Sequence, residues 1–485
     1  MVRVSQRFAF VLGFGLLVAA CSTNVELAPN SDDDAASSIA ASTDTLPPRD
    51  GTLRNQVGFL FPEPPAVDNT GELDDRTKGD LDDLWNSLGP ELDTDAIIAL
   101  GESGDPRVAW LISDLMRFIQ RDPDSSLLEE AAVALTGVDL DADPVADRSS
   151  WQSITDHLIA WDLPAFPGYR EYKGRLFTIV EPEWRPFFDD ENGVIDWRLT
   201  SWGGVLIDNR PLGDTNPCPR GCIPALDDPP TTDAASGSWY PDDAVVFGVV
   251  VGDEARAYPK NQMEVHEMVN DSLGGRRIGL PYCTLCGSAQ AYFTDSVPDG
   301  VDQPVLRTSG LLTRSNKVMY DVNTFSIFNT FTGEAITGPL HDQGIVLEQT
   351  TVVTSTWGDW KEAHPDTTIL AEDAGTGRSY DLDPLGGRDD NGPIFPVGDV
   401  DPRLPSQAQV VGVIAPDGTA IAFPAEALTE TLETTDSVEL GGITITKDGG
   451  GFLATSNDGS SVAAHQSFWF AWTQFHPDTA VWSAG

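Results

Sequence analysis

The stretch 357-WGDWKEAHPDT-367 has a close relative later in the chain, 469-WFAWTQFHPDT-479. Both carry two tryptophans three residues apart, which lie on one side of a short helix. Proline disfavours the helical conformation of the residue before it, so the His-Pro pair predicts where each helix ends. We therefore interpret His364 and His476 as residues that end a helix and pack against it.

Two further matches extend this similarity outward in the same order. The stretch 245-VVFGVVVGDEARAYP-259 corresponds to 410-VVGVIAPDGTAIAFP-424, and 273-LGG-275 corresponds to 440-LGG-442. Short β-prone runs separated by Gly, Asp and Pro fill both regions. The pattern predicts two copies of one β-rich module, the first at residues 240–375 and a second, degenerate one at residues 405–485.

The residues before these modules favour helices and then an extended connection. In 106-PRVAWLISDLMRFIQ-120 the apolar residues recur every three or four positions, as on one face of a helix. The pattern of two helices around a turn is typical of a HEAT-type repeat, which is predicted over residues 58–140. A Pro- and aromatic-rich connecting segment follows at 141–239. The predicted fold class is α+β: an N-terminal helical, HEAT-like domain followed by a mainly β, internally duplicated C-terminal region.

The first residues are typical of a bacterial export signal. Arg3 and Arg7 precede an apolar run that is too short to span a membrane, and 18-VAAC-21 resembles a lipobox. We expect residues 1–20 to be a lipoprotein signal peptide, Cys21 to carry the lipid, and the acidic residues 21–57 to form a flexible linker. This predicts an exported protein, lipid-anchored to the bacterial cell envelope, at the outer membrane if the host is Gram-negative.

The charge of the chain excludes some classes of partner. Its 485 residues include 76 acidic and 29 basic ones, which gives a net charge of −47. Phosphate groups would be repelled, so no nucleic-acid partner is expected. The sequence has no phosphate loop or dinucleotide fingerprint, so no nucleotide cofactor is expected either. The expected partners are the membrane, through the N-terminal lipid, and a protein bound to the helical domain.

The first module differs from the second at two stretches, 264-EVHEMVND-271 and 282-YCTLCG-287. Two thiolates in a tight turn that glycine closes can bind one tetrahedral metal ion. Imidazole and thioether ligands would complete a soft site for copper or zinc. The predicted metal ligands are Cys283, Cys286, His266 and Met319, and the residues expected to orient them are Glu267, Asn270 and Asp271.

Two other interpretations of the cysteines stay open at this point. The pair Cys283 and Cys286 has the spacing of a redox-active dithiol, which would make the protein a periplasmic thiol–disulfide oxidoreductase. Alternatively, Cys283–Cys286 and Cys218–Cys222 are structural disulfides, which persist in oxidising compartments, and the chain is a non-catalytic cell-surface interaction protein. The sequence does not decide whether the protein is an enzyme, and it points to no particular small-molecule substrate.

The motifs of the first module also resemble those of a known family. The series 266-HEMVND-271, 282-YCTLCG-287, 317-KVMYD-321 and 364-HPDT-367 is similar to that of the bacterial family called domain of unknown function 3179. Thr284 stands where that family usually has proline, and 218-CPRGC-222 is a local addition. The resemblance implies membership of a family but no reaction.

Overall fold

Helices dominate the first part of the chain. The computed structural model describes residues 45–484 apart from 69, 90, 144, 146, 147, 219 and 388–391. The predicted signal peptide, Cys21 and the predicted linker up to residue 44 lie outside the described residues. The helices are α1 (Asp75–Asn86), α2 (Thr94–Gly101), α3 (Ala109–Phe118), α4 (Asp124–Thr136), α5 (Ser150–Ala160), α6 (Tyr169–Val180), α7 (Arg185–Asp189), α8 (Lys260–His266), α9 (Gly338–Asp342), α10 (Trp357–Ala363), α11 (Ala425–Thr431) and α12 (Trp469–Phe475).

Local sequence explains where several helices begin and end. The Asp74 side chain accepts the backbone N–H groups of Arg76 and Thr77 and so caps α1. Gly137 adopts a φ of 71° directly after α4, a conformation that residues with a Cβ rarely adopt. None of the helices within the described ranges combines the length and the apolar content needed to cross a membrane.

The strands are short and come mostly from the second half of the chain. In chain order they are β1 (Thr200–Trp202), β2 (Leu226–Asp227), β3 (Thr231–Asp233), β4 (Val245–Val251), β5 (Glu254–Pro259), β6 (Met268–Leu273), β7 (Arg276–Cys283), β8 (Ser288–Ala289), β9 (Ala291–Phe293), β10 (Leu306–Thr313), β11 (Asn316–Asp321), β12 (Ile327–Asn329), β13 (Glu348–Thr350), β14 (Val353–Thr356), β15 (Thr368–Leu370), β16 (Gln409–Ile414), β17 (Ala420–Pro424), β18 (Val438–Leu440), β19 (Ile443–Asp448), β20 (Gly451–Ser456), β21 (Ser461–Val462), β22 (Ala464–Phe468) and β23 (Ala480–Val481).

These strands form five small sheets in the described residues. Their strand orders are β1-β10-β11-β12, β13-β9-β7-β6-β2 with β8 beside β7, β14-β4-β5-β15-β3, β22-β16-β17-β23 and β18-β19-β20-β21. Most neighbours are antiparallel, whereas β2 and β6, β15 and β5, and β17 and β23 pair in parallel. The parallel pairs join segments that are distant in the chain, so the sheets that contain them are completed only when those segments come together in the tertiary structure.

The predicted organisation of the fold is wrong: the described residues form neither a HEAT-like domain nor a duplicated C-terminal β region after it. The chain is mixed α+β, with five small sheets in a β-propeller-like arrangement and twelve helices among the described residues. The helices form no separate HEAT-like domain, because Leu111 and Phe177 share one apolar cluster with Leu311 and Tyr320 of the sheets. Strands β1, β2 and β3 precede the predicted β region and pair with β10, β6 and β15.

The physical reason for the error is that periodicity predicts which face of an element is buried but not what covers it. The periodicity of α3 predicts packing within a helical repeat, yet the apolar cluster that contains α3 extends into a sheet that is nearly two hundred residues away in sequence. The boundaries predicted for the individual regions stay predictions.

The two Trp-x-x-Trp stretches nevertheless share their local packing. Helices α10 and α12 end at His364 and His476, as the His-Pro pairs predict. The indole Nε1 of Trp360 donates to Thr367 Oγ1 at 2.9 Å, and that of Trp472 donates to Thr479 Oγ1 at 3.0 Å. Each indole lies directly on a glycine of a neighbouring strand, Gly248 or Gly412, where a Cβ would overlap the ring.

Candidate functional site

The Cys-x-x-Cys loop lies where strand β7 ends. Cys283 is the last residue of β7, Thr284–Cys286 form one 3-10 turn, and Gly287 follows with a φ of 57°. The Cα atoms of Cys283 and Cys286 are 5.3 Å apart, and the two sulfur atoms form a disulfide. A Cβ at Gly287 would meet Gln409 and Phe468, so the C-terminal sheet packs closely on this loop.

Both sulfur atoms are buried and contact the hairpin between β10 and β11. The backbone N–H of Lys317 donates to Cys283 Sγ at 3.4 Å. The carbonyl oxygen of Ser315 lies 3.6 Å from Cys286 Sγ and 4.0 Å from Cys283 Sγ. An N–H dipole stabilises a thiolate and a carbonyl accepts a thiol proton, so these contacts favour negative charge on Cys283 and a proton on Cys286.

Buried polar atoms without a hydrogen-bond partner are concentrated around this loop. They are Ser288 Oγ, Gln290 Oε1, Ser315 Oγ, Asn316 Oδ1, Gln409 Oε1, Ser467 Oγ and Gln474 Nε2. Ser288 pairs with Cys283 across β7 and β8, and Gln290 approaches the ring of His465. Buried polar groups are normally satisfied, so such a concentration points to bound water or to a functional role rather than to a plain apolar core.

A cavity of about 100 Å³ adjoins the other side of the loop. Thr284 and Leu285, the two residues between the cysteines, line it together with Glu267 and Lys317. Lys317 Nζ lies 3.1 Å from Glu267 Oε2 and donates to Thr308 Oγ1 at 2.6 Å, while Thr284 Oγ1 donates to Glu267 Oε1 at 3.3 Å. Burial lowers the pKa of Lys317, and the Glu267 carboxylate opposes that shift.

The predicted ligand His266 is hydrogen-bonded to residues outside the cysteine loop. Its Nδ1 lies 2.6 Å from the carbonyl oxygen of Pro224, and its Nε2 lies 2.7 Å from the hydroxyl of Tyr380. Because a carbonyl only accepts, Nδ1 carries the proton and Nε2 accepts from Tyr380. Both ring nitrogens therefore have hydrogen-bond partners, and His266 links the segment that carries Pro224 to the segment that carries Tyr380.

The remaining predicted residues are dispersed. Met319 packs in an apolar cluster with Met268 and Phe328. The Asn270 amide donates to Asp227 Oδ1 and to the carbonyl oxygen of Leu306, both at 3.0 Å. The Asp271 carboxylate accepts from Arg256 at 2.6 Å and from Tyr258 at 2.8 Å. Among the predicted residues other than the cysteines themselves, only Glu267 is hydrogen-bonded to the cysteine loop, through Thr284.

A pH dependence of stability follows from His266. Desolvation, with smaller contributions from Arg378 and Arg210, lowers the pKa of His266 to about 4. The unfolded imidazole keeps its ordinary pKa near 6.5, so the unfolded state binds the proton first as the pH falls. The contribution of His266 to the free energy of unfolding is complete above pH 6.5 and is lost as the pH falls towards 4. We expect the free energy of unfolding to fall by about 2 kcal/mol between pH 7 and pH 5 on account of this residue.

Urea denaturation of the native chain and of His266→Gln at both pH values measures that contribution. Since His465 and His476 are also buried with lowered pKa values, the difference between the two proteins is the relevant quantity. The variant should show the smaller loss on acidification. Equal losses in both proteins would contradict the assignment.

A second group of chemistry-bearing residues lies at Asp208, Cys218 and Cys222. One ligand atom from each lies within 4.8 Å of the others, so this group could hold a metal ion. Cys218 and Cys222, whose Cα atoms are 5.4 Å apart, are joined as a disulfide. Asp208 is buried, and Arg210 Nε donates to its carboxylate at 2.7 Å. Among the described residues this is the only such group of His, Cys, Asp and Glu.

Sequence reasoning missed several residues of both sites. Lys317 begins the motif 317-KVMYD-321, but the sequence predicted no role for it. Nothing in the sequence pointed to Ser315 or Asp208 as site residues. For His465 there was a signal: it lies in 464-AHQSF-468, directly before the second Trp-x-x-Trp stretch, whereas 352-VVTST-356 precedes the first. Comparing the residues that precede the two Trp-x-x-Trp stretches would have singled out His465.

Together, the fold and the loop define a mixed α+β protein with a buried cysteine pair beside a small cavity. Residues 220–457 match the family described as protein of unknown function (DUF3179), and over these residues the chain belongs to that family. The match includes the cysteine loop, Glu267 and Lys317 but ends before His465 and Ser467. No curated protein and no solved structure matches the chain.

Proposed function

We propose that Cys283 and Cys286 form a reversible disulfide and that the protein is a thiol–disulfide oxidoreductase. The observation that carries this proposal is the concentration of buried polar atoms without partners around the loop. A structural disulfide would pack well in a fully apolar setting, and a bridge across so few residues stabilises a fold little. A disulfide that is reduced in place needs polar groups nearby for the charge and the protons of the thiols.

The contacts of the sulfur atoms support one assignment of their roles. A substrate thiolate attacks Cys286 Sγ and forms a mixed disulfide, while the Cys283–Cys286 bond breaks and Cys283 leaves as a thiolate. The N–H of Lys317 stabilises the negative charge on that leaving sulfur. A second substrate thiolate attacks the substrate sulfur of the mixed disulfide and releases Cys286.

The overall reaction is balanced. One protein disulfide and two substrate thiols become one protein dithiol and one substrate disulfide, and the two thiol protons end on Cys283 and Cys286. The Ser315 carbonyl is placed to accept the new S–H group of Cys286. The same steps in reverse oxidise the dithiol.

The proposed place of this reaction is the bacterial cell envelope. Support comes from the N-terminal sequence, with its apolar run and the lipobox-like 18-VAAC-21. Compartments outside the cytoplasm are oxidising, so both oxidised and reduced forms of a labile cysteine pair can occur there. A lipid on Cys21 would hold the redox site near the membrane.

A redox titration tests the proposal. The folded Cys218→Ser/Cys222→Ser protein is equilibrated with thiol–disulfide buffers, its thiols are alkylated, and the products are counted by mass spectrometry. We expect a reversible two-electron transition with a midpoint above about −300 mV, the range of labile rather than structural disulfides. Reduction only after unfolding, or a midpoint below that value, would identify Cys283–Cys286 as a structural disulfide.

Metal binding at Asp208, Cys218 and Cys222 is the second candidate, supported by the approach of the three side chains. Two thiolates and one carboxylate suit zinc, and the thiolates also suit copper. Before a metal ion can bind, the Cys218–Cys222 disulfide must be reduced. The Asp208 carboxylate must also exchange its hydrogen bond from Arg210 for a bond to the metal. Met319 lies elsewhere, in an apolar cluster, whereas His266 lines the same cavity as Cys218 and Cys222 with both of its ring nitrogens already hydrogen-bonded.

We expect the reduced protein to bind about one zinc or copper ion per chain at this group. The ion should be lost in Cys218→Ser and bound more weakly in Asp208→Asn, whereas Cys283→Ser should retain it as the matched control. Elemental analysis after gel filtration gives the metal content, and circular dichroism verifies that each variant is folded. Equal metal content in all four proteins would remove this candidate.

A further inference from the structure

The burial of the disulfide restricts which thiols can reach it. Cys283 is 2% exposed and Cys286 is fully buried. Thiol–disulfide exchange requires the attacking sulfur to contact the disulfide sulfur, so access controls the rate. A cysteine on the surface of a folded protein cannot contact these atoms. By contrast, Cys218 and Cys222 are half-buried and line an open cavity of about 470 Å³.

A small cavity lies beside the loop, and neither Cys283 nor Cys286 is itself among the residues that line it. The two residues between the cysteines, Thr284 and Leu285, form part of its wall, and so does Lys317, whose backbone contacts Cys283 Sγ. At roughly 10–15 Å³ for one water position, a volume of about 100 Å³ holds several waters or a ligand of a few heavy atoms. The walls are mainly apolar: Val205, Ile223, Leu311, Leu312, Ile394 and Phe395.

The charges in and around the cavity disfavour an anionic ligand. The single lysine in its wall is already paired with Glu267 at 3.1 Å and hydrogen-bonded to Thr308. A carboxylate would carry its charge into the cavity and lose its water without gaining a free cation, whereas a thiol that enters protonated carries no charge until it loses its proton at the disulfide. The net charge of −47 adds a long-range repulsion of anions.

We infer that the substrate of Cys283–Cys286 is a small, uncharged thiol or disulfide compound that reaches the loop through this cavity. Protein thiols and small anionic thiols are excluded, the first by size and the second by desolvation. This inference rests on the proposed redox function, and it names the substrate class of the same site.

The chain supplies its own reference for the test. One protein retains only Cys283–Cys286, through Cys218→Ser/Cys222→Ser, and the other retains only Cys218–Cys222, through Cys283→Ser/Cys286→Ser. Each is reduced with 2-mercaptoethanol, with the anionic 3-mercaptopropionate and with a small reduced dithiol protein. Alkylation and mass spectrometry give the initial rates, and the reference disulfide corrects for the intrinsic reactivity of each thiol.

At Cys283–Cys286 the neutral thiol should be favoured over the anionic one at least about tenfold more than at the reference disulfide. The dithiol protein should reduce the reference at least about a hundredfold faster than the buried disulfide. Both preferences should persist at 1 M salt, where long-range repulsion is screened. Equal preferences at the two disulfides, or faster reduction of the buried one by the protein, would overturn the inference.

A pair of cavity variants gives a second, independent measurement. Ile394→Trp fills the cavity and should slow reduction by 2-mercaptoethanol, whereas Ile394→Ala widens it and should accelerate reduction. Melting temperatures verify that both proteins fold, and the rate at the reference disulfide should not change. Identical rates in the two variants would overturn the cavity route. If no thiol reduces the folded protein at all, the proposed redox function itself fails, which distinguishes the two outcomes.

Discussion

Cys283→Ser is expected to accumulate a mixed disulfide on Cys286 when the protein is treated with the disulfide of a small neutral thiol. The attacked sulfur in the proposed mechanism is Cys286, and the sulfur that resolves the mixed disulfide is Cys283. Removing Cys283 therefore leaves the adduct without its resolving group. The N–H of Lys317, which would hold the resolving thiolate, has no thiolate left to stabilise.

The opposite variant, Cys286→Ser, is the matched control. It leaves Cys283, whose stabilised thiolate is the better leaving group, so a mixed disulfide on Cys283 is reversed more readily than one on Cys286. We expect the adduct yield on Cys283→Ser to exceed that on Cys286→Ser by at least about fivefold, read as intact mass in a Cys218→Ser/Cys222→Ser background. Equal yields would contradict the assigned roles, and no adduct on either variant would count against the redox function.

The second large effect is expected for Gly412→Val. Gly412 lies on β16 directly beneath the ring of Trp472, and any Cβ would overlap that ring. Trp472 is 1% exposed and its Nε1 is fixed on Thr479, so it cannot move aside without losing packing and a hydrogen bond. We expect the free energy of unfolding to fall by roughly 3–5 kcal/mol.

Urea denaturation measures this loss, and two further variants keep the test specific. Gly79→Ala, in α1, has open space at its Cβ and should be neutral or slightly stabilising. Trp472→Phe in the Gly412→Val background should recover part of the loss, because the smaller ring makes room for the added methyl groups. A loss below about 1 kcal/mol for Gly412→Val would show that the packing of this glycine on the indole is not tight.

This packing also matters for the redox site. Gln409 at the start of β16 and Phe468 at the end of β22 both contact the position of Gly287. Loosening β16 should therefore expose the cysteine loop as well as destabilise the fold. The reduction rate of Cys283–Cys286 in Gly412→Val reports on that coupling.

Local stretches of sequence were sufficient to predict several elements of the site. The Cys-x-x-Cys-Gly spacing predicted a tight turn closed by Gly287, and the His-Pro pairs predicted the ends of α10 and α12. The family motifs of the first module predicted the family whose match covers residues 220–457. Each of these features depends on residues that are close in the chain, where backbone sterics and hydrogen bonding set the conformation.

The surroundings of the cysteines, by contrast, depend on contacts between segments that are far apart in the chain. His266 and Glu267 are neighbours in sequence, but Glu267 has a φ of 52° where α8 ends, and the two side chains line different cavities. Glu267 joins Lys317 beside the loop, whereas His266 is held by Pro224 and Tyr380. The contacts of the sulfur atoms come from a hairpin about thirty residues away, and those of Gly287 come from strands more than a hundred residues away. Periodicity shows that a face is buried, but the choice of what covers it depends on shape and packing across the whole chain, which no single stretch of sequence contains.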